Sequence, residues 1–164
     1  AENNANQGTA IKVLSVSKVQ NSSGAIVPHL NLFRCSVRGL VHPKTALTID
    51  VPLLEKHPQS SQTFIPMGVE SSQVAYIVVV ALESGTAGGR PDLSTVKAFS
   101  CMGNQAVTYG QGVWHAPMIA VSQDVTTAHV DFSVLIYENG DYAQPELDCV
   151  ECSLDKPLRV AVVL

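Results

Sequence analysis

The sequence predicts an all-β fold, a sandwich or barrel built in one piece from 164 residues. Three observations carry this. Apolar and β-branched residues fall in short extended runs; Gly, Pro, Asn, Asp and Ser punctuate those runs; and no stretch keeps the 3.6-residue repeat of a long amphipathic helix. Hydrophobic residues make up 46% of the chain and charged residues 15%, enough apolar surface to close a core without disulfides or a structural metal.

Taken in order, Thr45, Leu47, Ile49 and Val51 fall on one face of a strand and Ala46, Thr48 and Asp50 on the other, which predicts one buried side. The run Gln73 to Leu82 is apolar on both faces, as a central strand covered on each side requires. Glu83 to Asp92, ESGTAGGRPD, reads as a loop making a hairpin-like connection between the two halves of one barrel. Asp92 is placed to cap a short helical turn over 92–97. Val130, Phe132, Val134 and Ile136 alternate as a second one-sided strand, and the Asn139-Gly140 pair predicts a reversal after Tyr137. Roughly nine or ten strands are expected at such spacings, with no internal repeat or linker, so residues 1–164 form one domain.

Composition excludes several functions. The formal net charge is -4, and the ten Lys and Arg form no basic stripe, so nucleic acid is not expected as a partner. Seven acids between Asp131 and Asp155 read as a solvated face. The longest apolar run, Val74 to Leu82, is about half of the roughly 20 residues that a membrane-spanning helix needs. The start, AENNANQGTA, has no basic n-region or apolar h-region, so no signal peptide is expected in it. Cys35, Cys101, Cys149 and Cys152 are too irregular for a secreted disulfide framework and read as reduced thiols of an intracellular, cytoplasmic protein. Cys149 and Cys152 form a CxxC, but without the second pair or histidines of a zinc site, or the βαβ setting of a redox pair, it reads as incidental.

Chemistry-bearing side chains concentrate in two segments, Leu54 to Met67 and Gly103 to Met118, each pairing a histidine with a nearby proline. Gly103, Gly110 and Gly112 permit tight turns that leave Trp114 and His115 at the start of a strand, with Pro117 keeping the backbone extended. The mouth of a barrel lined in this way is a candidate pocket. A histidine before a proline is also a common satisfied turn residue, and His29, His42 and His129, without supporting neighbours, read as structural or exposed.

The strings EKHPQSSQTFIPM, VVVAL, RPDLSTVKAFSCMGNQAVTYGQGVWHAPM and VDFSVLIYENGD, followed by DC, resemble successive blocks of the ureidoglycolate lyase family, in family order, from Phe33-Arg34 to Glu151. The resemblance implies a cupin-like double-stranded β-helix barrel, a homodimer, and a lyase that splits ureidoglycolate into glyoxylate and urea in allantoin (purine) degradation. It also implies a divalent metal such as nickel as candidate cofactor, with His57, Gln62 and His115 at the positions of the cupin metal motifs. The first motif's paired histidines are incomplete here, and Ala116 stands where some members carry a second histidine.

Ureidoglycolate carries hydroxyl, carboxylate and urea nitrogen on one carbon, so its cleavage needs a base for the hydroxyl proton and an acid for the departing nitrogen. His115 and His57 suit either role, and Glu55 is a candidate partner of a histidine. The substrate carboxylate calls for Arg34 or Lys97; the urea end suits Gln62, Ser61 or Tyr109; Trp114 or Phe64 would wall off water. Arg34 has an alternative as a cross-strand ion pair, and Trp114 as core. Two other readings stay open at this point: a metal-dependent cupin enzyme acting on another small hydroxy acid or sugar, and a non-catalytic small-molecule-binding cupin.

Overall fold

The computed structural model describes residues 2–42, 44–85 and 89–162. Within them the chain forms twelve strands and two single 3-10 turns: β1 (Glu2–Ala5), β2 (Ala10–Val13), β3 (His29–Ser36), β4 (Leu47–Lys56), β5 (Gln62–Met67), β6 (Val74–Glu83), β7 (Pro91–Met102), β8 (Val107–Tyr109), β9 (Trp114–His115), β10 (Ile119–Ala120), β11 (His129–Ile136) and β12 (Val150–Val162). No helix among the described residues is long and apolar enough to cross a membrane.

The strands make two curled antiparallel sheets, as expected of a cupin-like barrel. In the larger sheet β6 is central, with β7 along one edge and β9 and β10 sharing the other; β4 pairs with β9, and β12 with β4. The smaller sheet runs β3-β11-β5-β8, and a separate β1–β2 hairpin stands at the start. One core lies between the sheets, where Phe64, Tyr109, Val130, Phe132 and Val134 meet Tyr76, Val78 and Ala120. The larger sheet wraps a second core on its other face, built from Ile49, Val51, Leu54, Ile77, Val79, Ala81, Trp114, Ile119, Val160 and Val162.

The expected alternations appear in these cores. β11 buries Val130, Phe132, Val134 and Ile136, and β6 is buried on both faces from Val74 to Val79. β4 buries Ile49 and Val51 and exposes Thr48 and Asp50, then changes phase. Leu54 joins Ile49 and Val51 in the wrapped core, although the residue separation is odd. The switch falls at Pro52, where the β4–β12 register breaks between Ser153 and Leu158. A bulge of this kind re-aims side chains, and here it turns Glu55 and His57 to the face opposite that of the wrapped core.

Two expectations are corrected. Residues 92–97 are strand, not helix, because the Asp92 carboxylate accepts hydrogen bonds from the Ser94 N–H (3.0 Å) and Oγ (2.6 Å), a local Asx turn, within a strand that pairs with β6. β11 ends at Ile136, but no hairpin follows; Gly140 alone of the pair takes positive φ (71°), and the chain crosses to β12 in the other sheet. The connection between the halves is a hairpin, with Glu83 paired to Pro91; residues 86–88 of that predicted loop lie outside the described residues.

Candidate active site

A single row of paired residues crosses the larger sheet: Lys97 in β7, Val80 in β6, His115 in β9, Glu55 in β4 and Glu151 in β12. Directly paired residues in antiparallel strands share a face. His57, two residues after Glu55, joins the same face, and its ring centroid lies 5.4 Å from that of His115. Ligand atoms of Glu55, His57 and His115 all lie within 4.8 Å of one another. The two stretches around 57–62 and 109–115 therefore converge.

Both rings are held by backbone. His57 Nδ1 lies 2.7 Å from the Asp148 carbonyl and His115 Nδ1 2.9 Å from the Val113 carbonyl. A carbonyl only accepts, so each Nδ1 carries the hydrogen, and a neutral ring so held presents its lone pair at Nε2. Neither Nε2 has a partner, although the residues are only 8% and 1% exposed. Glu55 Oε1 stands 3.6 Å from His115 Nε2, beyond hydrogen-bond length. Two imidazole nitrogens and the Glu55 carboxyl group thus face one another at one place.

Burial sets the charge state. It depresses the His115 pKa to about 4, against a favourable bond to the Val113 carbonyl, so the ring is neutral near pH 7. Burial likewise raises the Glu55 carboxyl, opposed by nearby His57 and reinforced by Glu151. The Tyr109 ring stacks on His115 at 3.9 Å between centroids and 11° between planes. Its hydroxyl and the Gln62 Oε1 are also buried and unpartnered, and Gln62 pairs with Tyr109 across β5 and β8. Orphaned buried polar atoms are costly, and those of His57, His115, Tyr109 and Gln62 are groups that a small polar ligand would satisfy.

The other predicted residues separate. Arg34 is not at this site: it lies on the outer face of the smaller sheet, mostly exposed, with both guanidinium contacts to Asp131 at 2.9 Å, the cross-strand ion pair that was its alternative. Trp114 faces away from His115 into the wrapped core, where its Nε1 donates to the Gly89 carbonyl (2.9 Å) and Lys56 lies over its ring. Phe64 is core, edge-on to Phe33, Tyr109 and Phe132. The buried Ser61 hydroxyl accepts from the Gln20 N–H (2.8 Å). Lys97 lies on the site face, beside a groove lined by Val80, Leu82, Thr95 and Val113. His29, His42 and His129 are exposed, as expected.

Sequence reasoning missed the Asp148 and Val113 carbonyls that orient the rings, because backbone acceptors have no residue signature. It also missed Cys149, whose Sγ lies 4.0 Å from Glu55 Oε2 and whose thiol burial pushes up to about 12. Cys152 points into the wrapped core, so the CxxC forms no common site.

A family model described as ureidoglycolate lyase matches residues 1–161. The chain is similar to a protein of Saccharomyces cerevisiae named ureidoglycolate lyase, 54% identical over 156 residues, which cover 92% of this chain and 77% of that protein. It is 38% identical to one of the same name from Schizosaccharomyces pombe, over 96% of this chain and 81% of that protein. A Burkholderia mallei protein, also so named, is 36% identical over 72% of this chain and 60% of its own length.

Proposed function

The chain belongs to the ureidoglycolate lyase family, and from that premise we propose that it cleaves ureidoglycolate to glyoxylate and urea at the site formed by Glu55, His57 and His115. The observation that carries the reading is the group of unpartnered acceptors. The neutral His115 imidazole presents a lone pair that suits a substrate whose reacting group is a hydroxyl donor.

The chemistry follows from the charge states. His115 Nε2, neutral near pH 7, accepts the hydroxyl proton as the C–O bond becomes a carbonyl and the C–N bond breaks. Glu55, whose raised carboxyl holds a proton more readily than an exposed one, supplies the proton that urea nitrogen takes up. A small approach of the two groups from 3.6 Å, or one bridging water, lets the proton return from His115 to Glu55, leaving no net change in the enzyme. His57, whose Nε2 is buried and unpartnered beside His115, orients the substrate. Tyr109 and Gln62 offer a hydroxyl and an amide to the urea end, and Lys97 is the candidate for the carboxylate.

The same residues fit a divalent metal, since each imidazole has the backbone carbonyl partner that metal-ligating histidines use. Glu55, His57 and His115 would hold it, and a bound ion would lower the hydroxyl pKa as a Lewis acid. A place in allantoin degradation follows from the substrate. Four free thiols support a cytoplasmic location, and a homodimer is supported by the outer face of the smaller sheet, which exposes Leu30, Leu32, Ile65 and Met67.

The test is glyoxylate release from ureidoglycolate by purified protein, with and without chelator. His115→Ala is expected to lower kcat by at least about 10²-fold with the fold intact. Near-normal turnover in that variant would remove His115 from the mechanism.

A further inference from the structure

The segment 17–22 runs across the two loops that carry the histidines. The loop at 58–61 follows His57 directly, and the loop at 110–113 precedes His115 and ends on the carbonyl that orients its ring. The loops touch where Gly112 N–H donates to the His57 carbonyl (2.8 Å) and the Gln111 amide donates to the Pro58 carbonyl (2.9 Å). The crossing segment adds bonds on both sides. Ser22 N–H donates to Gln59 O (2.7 Å), and the Ser61 N–H to Gln20 O (2.9 Å). Ser17 Oγ donates to Thr108 Oγ1 (2.8 Å), and the Gln111 amide to Ser22 Oγ (2.7 Å).

Two residues hold both loops: Ser22, through Gln59 and Gln111, and Gln20, which grips each of them through the backbone. Gln20 binds Ser61 through its backbone N–H and carbonyl, while its side-chain Oε1 accepts the backbone N–H of Gln111 at 3.1 Å. Glycine at 110 leaves that side chain room: a Cβ there would lie 3.3 Å from Gln20 Oε1, a tight contact that would press on it. We propose that Gln20 is a positioning residue that fixes the spacing between His57 and His115 by tying the loop after one to the loop before the other. It touches neither ring and acts through the backbone that carries them. Small misplacements of reacting groups cost up to about 10²-fold in rate, so a bond worth little to stability can matter to turnover.

The proposal rests on the lyase reading for its kinetic arm and stands apart from it in its spectroscopic arm. Gln20→Met keeps length and removes the acceptor; Gln20→Glu keeps an acceptor oxygen. We expect Gln20→Met to lower kcat about tenfold, with KM changed less than about twofold and Tm within about 3 °C, and Gln20→Glu to recover most of kcat. Ser22→Ala, which removes the hydroxyl's bonds to Gln111 and Gln59 and keeps the backbone bond to Gln59, lowers kcat by a smaller factor. Histidine ring resonances in labelled protein give the independent reading: Gln20→Met shifts those of His57 and His115 and leaves His42 and His129 in place. Unshifted rings, or Gln20→Glu as impaired as Gln20→Met, would overturn the positioning role. A wild type inert towards ureidoglycolate would sink the lyase reading while the ring shifts still judge Gln20.

Discussion

Acidifying a metal-free sample singles out the burial of His115. Its pKa lies at about 4 in the folded protein against an ordinary 6.5, chiefly because burial penalises the imidazolium, so folding favours the neutral ring. The sign follows from proton counting. Between those two values the unfolded chain binds the proton and the folded chain does not, so this contribution is fully present above about pH 6.5 and is lost as pH falls towards about 4. At about 1.4 kcal/mol per tenfold, the interval corresponds to roughly 3 kcal/mol, a large share of the 5–15 kcal/mol that typically holds a domain together. The assay is urea denaturation of wild type and His115→Asn at several pH values from about 7 to 4, with chelator present so that metal ligation, which also requires the neutral ring, does not contribute. Groups such as Asp131, held low by Arg34, titrate alike in both proteins and cancel in the comparison. The wild type should lose roughly 3 kcal/mol more than the variant over this window. Parallel stability curves would refute the idea that His115 is buried neutral.

Arg34→Ala should leave ureidoglycolate turnover unchanged and stability little altered, since its pair with Asp131 is solvent-exposed and remote from the histidines; a rise in KM would return Arg34 to the site. Lys97→Met should raise KM with little change in kcat, the pattern for lost substrate binding, and an unchanged KM would remove Lys97 from carboxylate recognition. Phe132→Ala should cost about 3–5 kcal/mol by chemical denaturation, because the ring is fully buried between Phe64 and Tyr76; a cost below about 1 kcal/mol would mean the two sheets repack freely.

What the sequence disclosed depended on how locally each feature is encoded. The faces of β6 and β11 were legible because every second residue reports the same environment over a whole strand. Asp92 misled because an aspartate two residues before a serine offers the same acceptor to a helix start and to an Asx turn, and the pairing of β6 with β7 decided between them. Arg34 misled for the opposite reason: its partner Asp131 is 97 residues away, and only strand register brings them together. His57 and His115 were found through the motif strings around them, whereas their orientation rests on carbonyls at Asp148 and Val113. Gln20 lies in a stretch with no periodic signal, and its meaning comes wholly from the two loops it spans.

The irregularity at Pro52 divides one continuous strand into two lengths with separate obligations. Residues 47–51 answer to the oily interior wrapped by the larger sheet, and residues 53–57 answer to it through Leu54 while turning Glu55 and His57 to the reacting groups. A change of side chain on one length is therefore insulated from the other, so the hydrophobic half is free to drift without disturbing chemistry. A change of regularity is not insulated. Were the strand to alternate uniformly at its present length, Glu55 and His57 would fall on the side of Ile49 and Val51, and Leu54 would face the substrate; deleting one residue between Val51 and Leu54 would restore alternation with all three still facing as they do now.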